Sequence, residues 1–309
     1  MRTYSKIVIM SHVLPNFIIA GVHKAGTTSL FYYLGDHPDV CASLDKETNF
    51  FIYTKYKTPV NPLDNYYEQF EKHSNEKIIM EASPGYFYGG KATAQEIKDK
   101  CHNPKILIIL RNPTDRMISF FNRKKEVFQL PDTLTLEDYF ERGQQLSNAE
   151  LVLEENHLYT GFEFGFYHKY LDDWYNVFGD NLKVLFFDDL KDSKKTVLGL
   201  CDWLGIEKAF YNNYNFEVKN KSVDYKNRFM HSLAVRISFG AKRFWRKNQK
   251  LKSILRNAYY KLNGQSVSKA DHDAAVKAKI KALYEPSNRQ LASYLKSKGF
   301  SNLPGWLQY

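Results

Sequence analysis

Four short runs of apolar, largely β-branched residues set the strongest limit on what this chain can fold into. They are "NFIIAG" (16–21), "KIIMEAS" (77–83), "KILIILRN" (105–112) and "LKVLFFDDL" (182–190), and the stretches between them carry helix-like patterns. Strands buried on both faces read as continuous apolar runs, and strands that alternate with helices build a parallel sheet covered by helices. The expectation is therefore an α/β fold. Helical spacing predicts helices at 135–146 capped by Thr135, at 167–179 closed by Gly179, and at 193–206 opened by Ser193 and ended by Gly205. Residues 271–299 read as two helices meeting at Pro286, because proline disfavours the helical conformation in the residue before it.

The first run leads directly into "GVHKAGTTSLF", which nearly spells the phosphate-binding pattern G-x-x-x-x-G-K-[ST]. Gly21, Gly26 and Thr28 fit, but Thr27 stands where lysine belongs, and lysine has moved to position 24. In an NTPase the missing lysine reaches the β- and γ-phosphates, and the last hydroxyl holds Mg²⁺ together with a Walker-B aspartate. A strand, a turn of backbone N–H groups and a helix start still make an anion cradle, since unsatisfied donors and the helix dipole both favour negative charge. The fold implied is a P-loop-like three-layer one, with a central parallel β-sheet flanked by helices. A tight turn with no ligand would use the same glycines. "ILIILRNPTDRMISFF" (106–121) adds an arginine, Arg111, at the end of an apolar strand, where an NTPase would place a metal-binding aspartate. Ser119 follows eight residues later, near two helical turns, so a guanidinium and a hydroxyl can meet a second anion.

Together these stretches resemble the sulfotransferases that use 3′-phosphoadenosine 5′-phosphosulfate (PAPS), particularly the heparan-sulfate-type and related bacterial carbohydrate enzymes. "KAGTTSL" (24–30) is similar to that family's 5′-phosphosulfate loop, and Arg111 with Ser119 matches its 3′-phosphate pair. The resemblance explains the displaced lysine: a donor arm with one phosphate and one sulfuryl group needs no β,γ-bridging lysine and no Mg²⁺. It implies that Lys24 stabilises the leaving oxygen, and that Ala25, Gly26, Thr27, Thr28 and Ser29 hold the 5′-phosphate. "KETNFF" (46–51) resembles the motif whose glutamate is the catalytic base, here Glu47. "EASPGYFY" (81–88) resembles an E-K-S-x-x-Y-F segment with Ala82 in place of lysine, which makes Glu81 a second candidate base or an acceptor contact. His23 adjoins the loop and is a lesser candidate. Lys219, Asn220 and Lys221 fall where relatives close a flap over the nucleotide. The resemblance implies PAPS as donor, 3′-phosphoadenosine 5′-phosphate (PAP) as product, no metal, and a carbohydrate or glycolipid acceptor. A Mg-ATP kinase or NTPase with Asp188 or Asp189 as its Walker-B carboxylate, and a non-catalytic protein binding anionic glycans or membranes, are the rival readings.

The length of 309 residues, with 43% hydrophobic and 16% aromatic content, fits one packed domain. Its core is expected at about 16–206, followed by a basic, mostly helical part at about 217–309. The net charge of +10 is concentrated: between Lys219 and Lys261 thirteen Lys and Arg face a single acid, Asp224. That segment fits a helix with a solvated basic face, a membrane-surface element or an anionic-glycan groove. No stacking or zinc-finger motif supports nucleic-acid binding. Three widely spaced cysteines and the absence of a long apolar run favour a cytoplasmic home, although a Golgi-lumenal enzyme without its anchor would read the same way.

Overall fold

The computed structural model describes residues 12–217, 224–241, 244–245, 248–265 and 274–308. Its centre is a five-stranded sheet of β1 (Phe17–Gly21), β2 (Val40–Ala42), β3 (Ile78–Ala82), β4 (Lys105–Leu110) and β5 (Leu182–Phe186), in the spatial order β2-β3-β1-β4-β5. Every neighbouring pair is parallel. The four predicted runs are all strands. The fifth, β2, is three residues at the sheet edge, too short to give a periodic signal. Each residue of β1 is fully or nearly fully buried, and an Ile or Leu so placed contributes about 1.5–3 kcal/mol.

The longer helices are α1 (Thr27–Gly35), α2 (Gly90–Lys100), α3 (Pro113–Glu126), α4 (Leu136–Gln145), α5 (His168–Phe178), α6 (Ser193–Leu204), α7 (Arg228–Gly240), α8 (Gln249–Asn263) and α9 (Ala274–Ser297). Thr135 caps α4 by accepting the Asp138 N–H at 3.1 Å, while Asp138 reaches back to the Thr135 N–H. Gly179 and Gly205 end α5 and α6 at φ 51° and 73°, conformations that favour glycine. The opening of α6 differs from expectation. Its cap is Asp192, which accepts the Lys195 N–H at 2.9 Å, and Ser193 is the first helical residue.

Pro286 does not divide the last segment: α9 runs through it. Proline costs a helix interior about 3 kcal/mol or more, but Ile280, Tyr284, Ser287 and Leu291 are buried on both sides of it. Tyr284 donates to the Phe162 carbonyl at 2.6 Å, and Ser287 meets His168 Nδ1 at 2.6 Å. Packing on both flanks therefore outweighs the local penalty. The N-terminal half of α9 closes a second core with Met117, Phe121, Tyr139 and Phe140, while its C-terminal half joins the main core through Leu291 and Leu295.

β3 and β4 lie on opposite sides of β1, so the chain leaves the carboxyl ends of these strands in diverging directions. In open α/β sheets the crevice outside those ends is where ligands bind. The segments that follow β1, β3, β4 and β5 carry Lys24–Ser29, Ser83, Arg111 and Phe187 to that edge.

Candidate active site

The turn after β1 is built to leave donors exposed at the start of α1. Gly26 has φ 80°, a conformation that strains other residues, and a Cβ there would come within 3.3 Å of the Phe187 ring and displace the end of Leu190. No side chain caps α1. The opening N–H groups of a helix have no intrahelical acceptor, so this start offers hydrogen bonds and a positive dipole end to an anion. Ala25 is fully buried and its N–H donates to the Val22 carbonyl at 3.3 Å, so it shapes the turn and the cradle rests on the amides after it. Thr27 is buried, while Thr28 and Ser29 are half-buried.

Arg111 leaves β4 and closes on the same turn. Its Nη1 donates to the Lys24 carbonyl at 2.7 Å, and its guanidinium lies 4.5 Å over the Phe187 ring. Its Nε is buried with no hydrogen-bond partner among the described residues. The residue as a whole is half-buried, and its charged planar fork is a donor suited to a phosphate oxygen. Tyr167 fixes the backbone by donating to the Arg111 carbonyl at 2.7 Å. Asn112 caps α3 through the Thr114 N–H at 3.0 Å, and Ser119 sits half-buried in the second turn of that helix. The expected contacts Lys219, Asn220 and Lys221 lie outside the described residues.

Glu47 stands on a separate loop with φ 68°, and Lys24 has φ 67°. Left-handed backbone is uncommon for residues other than glycine and persists only where the surroundings enforce it. For Glu47 the enforcing contacts are clear. Its N–H donates to the Ala82 carbonyl at 2.9 Å, the Asn49 N–H donates to Ser83 Oγ at 3.0 Å, and Thr48 donates to Glu81 Oε1 at 2.8 Å. Glu81 is fully buried and accepts from Thr48, Ser83 and Tyr66 together, with its pKa raised by burial. Glu81 therefore differs from expectation: with no accessible surface it touches no acceptor, and it acts as the anchor of the loop that carries Glu47.

The electrostatics separate the remaining candidates. Burial alone would raise the Glu47 pKa, but Lys46, whose Nζ lies 2.7 Å from Oε1, and Lys24 outweigh it and hold the carboxyl below its ordinary value. Its side chain remains 42% exposed, so an ionised carboxylate faces the crevice. His23 packs among Tyr88, Phe120 and Phe164, and burial lowers its pKa to about 3, so the ring stays neutral and is a poor proton acceptor. Burial, followed by the charge of Arg123, lowers Lys24 to about 8. If the Lys24 ammonium acts in the reaction, kcat/KM for the donor falls tenfold per pH unit above about 8. An anion bound beside it favours the charged form, so the same limb in kcat lies higher. A pH–rate profile checks this, and a flat basic limb up to pH about 10 would contradict it.

Beyond His23 a cleft of about 320 Å³ opens, lined among others by Lys55, Lys57, Tyr88, Glu163, Phe164 and Tyr170. Lys55 sits 4.1 Å over the Phe164 ring, and burial lowers its pKa to about 8. Sequence reasoning missed this cleft because its residues come from three distant segments. It also misses Ser83, Tyr66 and Phe187, whose partners are long-range; "EASPGYFY" contains Ser83 but points to Glu81.

A family model described as "Sulfotransferase domain" matches residues 14–252. The chain belongs to the sulfotransferase family. A crystal structure of a sulfotransferase from Alicyclobacillus acidocaldarius superposes with a TM-score of 0.57 at 25% identity, covering 75% of this chain and 95% of that one. The mouse heparan sulfate glucosamine 3-O-sulfotransferase 3B1 is 29% identical over 210 residues, covering 66% of this chain and 50% of the relative. The membrane-associated sulfotransferase kil1 of Dictyostelium discoideum is 34% identical over 109 residues, 35% of this chain and 23% of the relative. The chain thus spans from about a quarter to half the length of these curated relatives. In this sulfotransferase domain the two aspartates of the Walker-B reading already have partners. Asp189 accepts the Phe186 N–H at 2.8 Å and Asp188 pairs with Lys191 at 3.0 Å.

Proposed function

We propose that this sulfotransferase domain moves the sulfuryl group of PAPS to a hydroxyl or amine of a carbohydrate-type acceptor, leaving PAP. The observation that carries the reading is the bond from Arg111 to the Lys24 carbonyl, which joins a guanidinium with an unsatisfied Nε to an uncapped helix start. These groups suit an anion with a charged arm at each end. When bound, PAPS supplies an activated sulfuryl group on a phosphate leaving group. The amides at the start of α1 hold the 5′ end, with the Thr27, Thr28 and Ser29 hydroxyls beside them, and Arg111 with Ser119 holds the 3′-phosphate. Lys24 sets positive charge at the mouth of the loop, where negative charge grows during transfer. Glu47, ionised at neutral pH, takes the proton of the attacking hydroxyl at its carboxylate.

The acceptor reading rests on the cleft beyond His23. Lys55 and Lys57 offer cations there, Glu163 a carboxylate and Tyr170 a hydroxyl, a mixture that suits an anionic sugar chain. The heparan sulfate relatives support a carbohydrate acceptor. Lys55→Ala is expected to raise KM for an anionic glycan about tenfold with kcat changed less than about twofold. Unchanged KM in steady-state assays would remove Lys55 from acceptor binding. The function itself is tested by labelled-sulfate transfer from PAPS to a panel of sugars, glycolipids and phenols, with a buffer containing EDTA as one arm. Transfer to sugar-containing acceptors that survives chelation is the expected result. Transfer confined to phenols would overturn the acceptor class, and no transfer alongside Mg-ATP turnover would overturn the reaction.

A further inference from the structure

α7 and α8 each leave a set of large apolar residues exposed. On α8, Leu251, Ile254, Leu255 and Leu262 are exposed, while Arg256, Tyr259, Tyr260 and Asn263 are the half-buried or buried residues. On α7, Phe229, Met230, Leu233 and Ile237 are exposed, whereas His231 is buried. Both exposed sets recur at three- and four-residue spacing, so each forms a stripe along one helix face. Of the twelve large hydrophobic residues exposed among the described residues, nine lie between Phe229 and Leu262, with Phe229 at 78%, Leu262 at 72% and Ile254 at 64%. Singly exposed apolar residues are normal, but a cluster of this kind marks an interaction surface.

Polar contacts fix the inner faces. His231 Nε2 meets the Glu126 carbonyl at 3.0 Å, and its Nδ1 meets the Tyr259 hydroxyl at 2.7 Å. Asn263 Nδ2 donates to the Asn227 carbonyl at 3.0 Å. The orientation of the helices is therefore set by specific bonds, and the apolar stripes are left facing outward beside exposed Arg236 and Lys261.

Charge decides what covers it. The stretch from Lys219 to Lys261 carries thirteen Lys and Arg against one acid, and among its described residues Lys226, Arg236 and Lys261 are exposed, so pairing with a second, like-charged copy is disfavoured. An anionic glycan would satisfy the cations but leave the leucines and isoleucines in water. An anionic bilayer satisfies both, because apolar side chains enter the headgroup boundary while lysines and arginines meet lipid phosphates. Among the described residues no helix is long and apolar enough to cross a membrane, so the contact is with one surface. We infer that α7 and α8 dock this protein onto an anionic membrane surface. Glu126 ties the docking element to the candidate site, since its carbonyl receives His231 and its carboxylate bears on the charge of Lys24.

The test is flotation of the full chain with phosphatidylcholine vesicles that contain or lack phosphatidylglycerol, with no donor or acceptor present. Strong binding only to the anionic vesicles is expected. The triple variant Phe229→Ser, Ile254→Ser, Leu262→Ser is expected to lose about a hundredfold or more in partitioning. Ile254→Ser alone is expected to lose a smaller factor and guards against misfolding of the triple variant. Equal partitioning of wild type and variants would mean cations alone act, as for a glycan, and would overturn the inference. So would absence of vesicle binding, or a wild-type dimer in analytical ultracentrifugation that the triple variant dissociates. Because the assay reads binding without turnover, failure of the proposed reaction leaves it intact.

Discussion

Glu47→Gln is expected to lower kcat by about 10²–10⁴-fold while nucleotide affinity weakens by less than about twofold. Glutamine keeps the volume and one acceptor oxygen but cannot take a proton. The contacts that hold position 47, from its N–H to the Ala82 carbonyl and from the Thr48 hydroxyl to the Glu81 carboxylate, do not involve the lost charge. Loss of the ion pair frees Lys46, whose partly buried ammonium then adds positive potential to the crevice. For that reason tighter donor binding is tolerable in the result and weaker binding is not. Steady-state kinetics with calorimetry of PAP binding separates the two. Undiminished kcat would remove Glu47 as the base.

Arg111→Ala is expected to weaken PAP by about 2–4 kcal/mol, roughly 30- to 900-fold. Two losses combine. The guanidinium disappears as a charged donor, and the Lys24 carbonyl loses the bond at 2.7 Å that helps hold the left-handed turn. Arg111→Lys is expected to recover only part of the loss, because an ammonium cannot serve the carbonyl and an anion with the same planar fork. A change below about 0.5 kcal/mol in calorimetry would remove the 3′-phosphate role.

The central architecture was legible because it depends on local pattern. Continuous apolar runs gave the four long strands, and Thr135, Gly179 and Gly205 ended their helices as their chemistry requires. Pro286 was misread because a local rule was set against packing from two cores, which the sequence does not display. The family resemblance of "KAGTTSL" and "KETNFF" points to Lys24 and Glu47, and both occupy left-handed backbone, a feature invisible in sequence for non-glycine residues. Glu81 shows the opposite limit. A glutamate at a strand end reads as chemistry, but its meaning depends on whether hydroxyls from Thr48, Tyr66 and Ser83 converge on it, and they do. The cleft beyond His23 is invisible in the sequence because no single stretch contains it.

The central claim is that this domain holds one nucleotide by both charged ends, with backbone amides at one and a guanidinium–hydroxyl pair at the other. A crystal structure of the full chain with PAP tests it most directly. The account predicts the 5′-phosphate at the start of α1, over Gly26–Ser29, and the 3′-phosphate against the Arg111 guanidinium and the Ser119 hydroxyl. PAP bound elsewhere, or both positions empty at saturating nucleotide, would contradict it.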